Sequence, residues 1–149
     1  LFGVANKVKP DLIIAVDALA SRRAARISTT IQLSDSGISP GSGVGNTRAD
    51  LSRANLGVPV IAVGVPLVVY ASTISQDTIS LIADETGLHG DEERLRELAE
   101  QVIAKHMGDF IVTPKDIDVI VEDMAGIIAN AINSALFGNN LEQVRNMLA

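Results

Sequence analysis

Two kinds of apolar pattern alternate along the chain. Short continuous runs rich in β-branched residues are separated by longer stretches whose apolar residues recur every three or four positions. Leu12-Ile13-Ile14-Ala15-Val16 is a run of the first kind, and its length and composition predict a strand buried on both faces, ending at Asp17. Pro59-Val60-Ile61-Ala62-Val63-Gly64-Val65 is a second, with Pro66 expected to end it. Between them, Ile27-Ser28-Thr29-Thr30-Ile31-Gln32-Leu33 alternates apolar and polar residues, as a half-exposed strand near a sheet edge does. Phe110-Ile111-Val112 is a further short strand candidate.

The helical stretches carry their own punctuation. Residues 1–10 read as the tail of a helix that Asn6, Lys7, Lys9 and Pro10 bring to an end. Ala18 to Ala25 reads as a short helix or turn, and Thr47 to Leu56 as a helix closed by Gly57. Tyr70 to Glu85 forms the next helix, stopped by Gly87, and Gly87-Leu88-His89-Gly90 is a hinge. Asp91, Glu92 and Glu93 open another helix, where acids suit the positive end of the dipole. Leu95, Leu98, Ala99, Val102, Ile103 and His106 supply its buried stripe, and Gly108 closes it. Thr113 as N-cap and Pro114 at the first helical position start the longest helix, which runs at helical spacing from Ile117 to Ala135. Gly138-Asn139-Asn140 ends it before a short terminal helix. Helices flanking at least three strands predict one α/β domain over residues 1–149, with helices on both sheet faces.

Composition narrows the function classes. The 149 residues are 47% hydrophobic, and with no Trp the core material is aliphatic. A formal charge of -6 argues against nonspecific binding to nucleic acid or an anionic membrane. With no cysteine, disulfides and thiolate chemistry are excluded; a cytosolic setting fits. No uninterrupted apolar run reaches the roughly 18 residues of a spanning helix. The opening Leu1-Phe2-Gly3-Val4 has no basic lead, so it reads as the inside of a longer polypeptide rather than as a signal peptide.

Most familiar chemistries fail on inspection. Gly41-Ser42-Gly43-Val44-Gly45 looks like a dinucleotide fingerprint, but its third glycine comes one residue early and it does not directly follow a strand. No Gly-Lys-Ser/Thr is present for a P-loop. The loop from Ser34 to Asn46 is long and dense in Gly and Ser; its amides could cradle an oxyanion or a peptide, or it could be a surface connection ending in an Asn46 helix cap. His89 lies in the hinge and His106 on a helix face expected to be buried, so neither suits a Ser-His pair, and two isolated histidines do not make a zinc site. No cofactor is implied.

Carboxylates remain. Asp17 follows one strand and Asp35 the next. Ligands of open α/β sheets gather at the carboxyl ends of strands, which favours Asp17 as a site residue; capping a following helix is the other reading. Two acids at close range can share one proton and so supply acid and base together. Asp17 could pair with Asp35, or with an acid outside this chain. Arg22, Arg23, Arg26 and Arg48 lie near the same segments, either to orient carboxylates or a peptide or to form surface salt bridges. Asp77, Asp84 and Asp91 read as solvated helix acids.

Several blocks in order resemble the bacterial germination protease family of spore endopeptidases. They are Pro10-Asp11-Leu12-Ile13-Ile14-Ala15-Val16-Asp17-Ala18-Leu19-Ala20, Thr29-Thr30-Ile31-Gln32-Leu33-Ser34-Asp35-Ser36-Gly37-Ile38 and Pro40-Gly41-Ser42-Gly43-Val44-Gly45-Asn46. Leu56 to Pro66, Val112 to Asp118 and Glu122-Asp123-Met124-Ala125 continue the resemblance. It implies an atypical aspartic endopeptidase that degrades small acid-soluble spore proteins during germination. It further implies a zymogen, a homotetramer, a location in the forespore and spore core, and no direct contact with nucleic acid or membrane. The implied fold is a three-layer α/β/α sandwich like that of the hydrogenase-maturation proteases.

Of the family's two essential aspartates, one falls in the Asp-Ala-Leu-Ala motif and so on Asp17. The other belongs to an upstream Thr-Pro-Asp-Ala-Leu-Gly-like motif that this chain lacks, which makes the chain resemble the C-terminal part of the enzyme, inactive alone. Gly41, Ser42, Gly43, Gly45, Asn46, Arg48 and Asp35 are then expected to line the substrate cleft. Two departures stand out: the segment between Gly87 and Phe110 looks shorter than in the family, and Tyr70 stands where its members tend to carry an acid. The competing readings are a hydrogenase-maturation-type protease, disfavoured by the scarcity of histidine, and a non-catalytic α/β binding module.

Overall fold

The computed structural model describes residues 2–41, 49–87, 89–108 and 110–138. The chain divides into two compact units, Leu1–Pro114 and Lys115–Ala149.

The first unit is α/β with a mixed four-stranded sheet. Helix α1 (Phe2–Val8) leads into β1 (Ile13–Ser21), and β2 (Gln32–Ser34), α2 (Arg53–Leu56) and β3 (Val60–Tyr70) follow. Then come α3 (Ala71–Thr86), α4 (Glu92–His106) and β4 (Ile111–Val112). Strand β3 is central: it pairs in parallel with β1 and antiparallel with β2 and β4. The core is built on it, with Val60, Ala62, Val63, Val65, Pro66 and Val69 all buried. On one sheet face, Val60 packs with Ala5 of α1 and Leu56 of α2, and Ile13, Ala15 and Leu51 close around them.

Both principal strands run further than their local stop signals indicate. Strand β1 continues through Asp17 to Ser21, so Ala18 to Ser21 is strand, and only Ala24–Arg26 forms a short 3-10 turn. Strand β3 continues through Pro66 to Tyr70. The proline ring removes one ladder donor, and the sheet absorbs this with a register shift: Leu19 faces Pro66 but Ala20 faces Val68. The Pro66 carbonyl accepts from the Ser28 amide at 2.7 Å, which turns residues 27–29 away from extended structure and leaves β2 only Gln32–Ser34. Strand β1 is also less covered than expected, with Val16 55% exposed.

Helices α1, α3 and α4 fall where periodicity places them. Gly87 follows α3 at φ 68, and Gly108 follows α4 at φ 61, both in the left-handed region that glycine adopts freely. Glu92 and Glu93 occupy the first turn of α4, and Lys105 and His106 the last, each complementing the dipole. The apolar stripe of α4 is not buried, however: Leu95, Leu98 and Val102 are each about half exposed, and His106 is exposed. Polar bonds tie α4 to α3 instead, from Gln76 to Glu100 at 3.0 Å and from Ser80 to Glu92 at 2.8 Å. Among the described residues of 47–56, only Arg53–Leu56 is helical, because Leu51 is bridged to Ile38.

The second unit carries α5 (Ile117–Phe137). It starts three residues after Pro114, since the Thr113 hydroxyl donates to the Leu67 carbonyl at 3.1 Å rather than capping a helix. By length and mean hydropathy (1.3) alone α5 could cross a membrane. Asp118, Glu122 and Asp123 in its first two turns, and Asn130 and Asn133 beyond them, are a composition that lipid disfavours. The terminal helix expected beyond Asn140 lies outside the described residues.

Candidate functional site

Asp17 sits in the interior of β1, not at its end. It pairs in register with Gly64 of β3, which in turn pairs with Gln32 of β2, so the three residues form one row across the sheet. Side chains alternate along a strand, which puts Asp17 on the same face as Ile13, Ala15 and Leu19. A Cβ added at Gly64 would lie 2.3 Å from Leu19 Cδ1, so the glycine is what lets Leu19 lean over the central strand beside Asp17.

The stem of the long loop reaches the same residues. Ile38, Pro40 and Leu51 line a cavity of about 220 Å³ together with the β1 residues from Ile13 to Asp17. The stem is held by paired backbone bonds between Ile38 and Leu51, 3.0 and 2.8 Å long. Gly37 makes the turn into it at φ 97 with Leu51 O close beneath, a place that no Cβ could occupy. The Ser39 hydroxyl donates to the Asp50 carboxylate, and Asn55 Nδ2 donates to the Asp50 carbonyl at 3.0 Å. Gly41 is at φ 76 at the end of the described stem. Ser42, Gly43, Gly45, Asn46 and Arg48 lie outside the described residues.

The Asp17 carboxyl is held asymmetrically. Oδ1 accepts from the Ala18 amide at 3.0 Å, whereas Oδ2 is buried with no hydrogen-bond partner. A buried carboxyl oxygen left open is costly unless it carries or shares a proton, or meets a water or a second acid. Among the described residues, the cavity Asp17 lines holds no second acid. Asp35 is not brought to it. Strand β3 lies between β1 and β2, a separation of about 10 Å, and Asp35 follows Ser34, which is already level with Ala15.

Nearer the carboxyl end of β1 lies a group that the sequence pattern leaves unmarked. Asp77 of α3 accepts the Ala24 amide on Oδ2 at 2.7 Å, half-buried, and so pins the Ala24–Arg26 turn. It is not the solvated acid its helix position indicates; its partner is a backbone amide, which has no residue-type signal. Ser21, buried, adds a short hydroxyl bond to the Arg23 carbonyl. Arg22, Arg23 and Arg26 form no ion pair among the described residues, so the salt bridges expected of them are absent there. His89 is exposed and 3.5 Å from Glu92, far along the chain from the loop stem, and neither histidine joins the cavity that Asp17 lines. The Ser80 hydroxyl first, and then His89, hold the Glu92 carboxyl below its usual pKa. Among the described residues, no group of three or more His, Asp or Glu side chains is placed to hold a metal ion.

Comparison with known proteins gives a consistent result. A family profile described as germination protease matches residues 1–89 and 85–147. The chain is 45% identical over 161 residues to the germination protease of Caldanaerobacter subterraneus, covering 99% of this chain and 50% of that protein. It is 45% identical over 147 residues to that of Clostridium acetobutylicum (90% and 45%) and 43% over 146 residues to that of Clostridium tetani (89% and 45%). The chain thus spans about half the length of the curated relatives it matches. The two matched segments meet at residues 85–89, beside the Gly87 hinge. The first alignment is also longer than the chain itself, so that relative carries additional residues within the shared region.

Proposed function

The chain belongs to the germination protease family, and on that premise we propose that it forms part of an endopeptidase that degrades small acid-soluble spore proteins during germination. The mechanism is aspartate-based hydrolysis, with Asp17 as one member of a proton-sharing pair. The observation that carries this reading is the Asp17 carboxyl, with one oxygen on the Ala18 amide and the other buried and open. In a pair of acids at close range only one ionises easily. The ionised member draws a proton from water as the water attacks the peptide carbonyl, and the protonated member hydrogen-bonds the carbonyl oxygen and later supplies a proton to the leaving amine.

The second acid is assigned to the part of the full-length protein that this chain does not span, since Asp35 is held two strands away. The chain alone is then inactive. The loop from Gly41 to Arg48 lines the cleft and presents backbone amides to the peptide, with its stem already beside Asp17. The complete fold is a three-layer α/β/α sandwich, assembled as a homotetramer from a zymogen and working in the forespore and spore core. The exposed apolar residues Val16, Leu33 and Ile61 of the sheet fit a fold whose remaining layers are contributed from outside this chain.

The test is cleavage of a purified spore-protein substrate by full-length enzyme carrying Asp17→Asn. The expected result is a folded protein with turnover reduced at least about a thousandfold, in line with loss of a residue in the reacting unit. Normal turnover would sink the assignment. Measurable proteolysis by residues 1–149 alone would overturn the placement of the second acid.

A further inference from the structure

We propose that the exposed apolar stripe of α4 is a contact between two copies of this chain, in which the two α4 helices pack antiparallel about a two-fold axis near Leu98. The pairing goes beyond the peptidase reading and does not depend on it.

Helix α4 has two separate apolar or partnered faces. Glu92, Ala99 and Ile103 fall on one side at the helical repeat, and they are the residues of α4 with reduced exposure. Ser80 of α3 donates to Glu92 on that side. Leu95, Leu98 and Val102 lie about a quarter turn away, spaced i, i+3 and i+7, and each is half exposed. That is the spacing of a helix–helix seam. Arg94, Glu97, Glu100 and Gln101 are exposed around the rest of the circumference, so the stripe is the one further face of α4 suited to a cover.

The two ends of the stripe select the occupant. Asp91 stands at its head, where it makes no side-chain capping bond, and Lys105 and His106 stand at its foot. None of the three forms an ion pair among the described residues. A partner must therefore bring a basic group to one end, an acidic group to the other and an apolar strip between them. A second copy turned end for end brings all three, because the patch is self-complementary under a two-fold rotation, as an isologous contact requires. Antiparallel helix dipoles add to the fit. Only residues 87–91 join α3 to α4, and the two matched family segments meet there. The tip of the α3–α4 pair thus carries no long segment to stand across the head of the stripe.

The chain has no cysteine, so single introduced cysteines report the geometry without ambiguity. A disulfide needs Cα atoms within about 7 Å of each other. On mild oxidation, the 149-residue chain carrying Leu98→Cys is expected to form covalent dimers. Leu95→Cys alone should not, since its two copies stand about 9 Å apart along the helix axis. A mixture of Leu95→Cys and Val102→Cys chains should crosslink, one to the other. Glu97→Cys, on the solvent side of α4, is the control for random collision. Three outcomes overturn the pairing: no dimer from Leu98→Cys, self-crosslinking of Leu95→Cys as fast as that of Leu98→Cys, or equal crosslinking of Glu97→Cys.

A second arm separates a second copy from the part of the full-length protein that this chain does not span. Sedimentation equilibrium is measured on full-length protein with and without Leu98→Glu, and circular dichroism confirms that the variant is folded. The mass is expected to fall by at least about half, the loss of one two-fold contact. Unchanged mass with a lowered melting temperature would place the cover of the stripe within one chain and overturn the proposal. A charge swap, confined to exposed residues, provides an arm that does not disturb folding. Lys105→Asp should weaken association of the 149-residue chain several-fold, and Asp91→Lys added to it should restore the loss. Association indifferent to Lys105→Asp, or not restored by the second change, would rule out the antiparallel arrangement.

Discussion

Asp17 and Gly64 face each other in register across β1 and β3, and the space that a side chain at 64 would fill is taken by Leu19. The pair couples the acid to the packing of the central strand. Replacing Gly64 by Ala puts a methyl 2.3 Å from Leu19 Cδ1 and 2.9 Å from its Cγ, so Leu19 must change rotamer or β3 must shift. The expected cost is about 1–3 kcal/mol, the range for overpacking a closed site. Leu19→Ala in the same chain should recover much of it, giving a clear coupling energy in a double-mutant cycle measured by urea unfolding. Additive effects would show that Leu19 is not what Gly64 makes room for.

Gly37 makes a more severe demand. Its φ of 97 disfavours any other residue, and a Cβ there would lie 2.2 Å from the Leu51 carbonyl oxygen, a backbone atom that cannot rotate away. Gly37→Ala is therefore expected to break the Ile38–Leu51 bridge and cost more than about 2 kcal/mol. Amide exchange at Ile38 and Leu51 should accelerate well beyond that in β3. Unchanged protection at these two amides would disprove the tight approach.

The contrast between these glycines and the rest of the chain shows what the sequence makes legible. Helices α3 and α4 could be read because their periodicity and their closing glycines, Gly87 and Gly108, are local signals. The lengths of β1 and β3 could not. Asp17 and Pro66 both look like stops, but a strand ends where its partner ends, and each of these strands carries the other on to Ser21 and Val69. The same limit applies to α4: its apolar repeat specifies a helix but not what covers Leu95, Leu98 and Val102. At the candidate site, the place of Asp17 after an apolar run and the family blocks are what point to it in the sequence. Its neighbours across the sheet, Gly64 and Gln32, depend on register, and Asp77 depends on a backbone amide 53 residues away.

Glu92 gives a prediction in pH. The Ser80 hydroxyl donates to its Oε1 at 2.8 Å, and His89 and Arg96 lie beside it, so its folded pKa falls below the ordinary value of 4.5. A depressed carboxyl pKa means stabilisation that is complete above the ordinary pKa and is lost as the pH falls through the lowered one. The contact between α3 and α4 should thus weaken only below about pH 4.5. Carbon-detected NMR titration of the Glu92 carboxyl checks the shift directly, and Ser80→Ala should move it back upward. A titration unmoved by that substitution would remove the hydroxyl as its cause.

Asp17 itself should contribute little to stability. Most substitutions at half-buried positions cost about 1 kcal/mol. Asp17→Ala, however, removes an open buried oxygen while giving up only the local bond from the adjacent amide of Ala18. The two effects oppose each other, and a buried unsatisfied polar atom is the larger at about 1–3 kcal/mol. The 149-residue chain carrying Asp17→Ala is therefore expected to unfold in urea at the same midpoint as the parent or a higher one, with an unchanged m-value. That outcome is what a residue kept for chemistry rather than for folding predicts, since functional positions hold groups the fold would discard. A loss of more than about 1.5 kcal/mol would instead mean that Oδ2 makes a stabilising contact within this chain, and the search for its partner acid would have to begin here rather than in the remainder of the full-length protein.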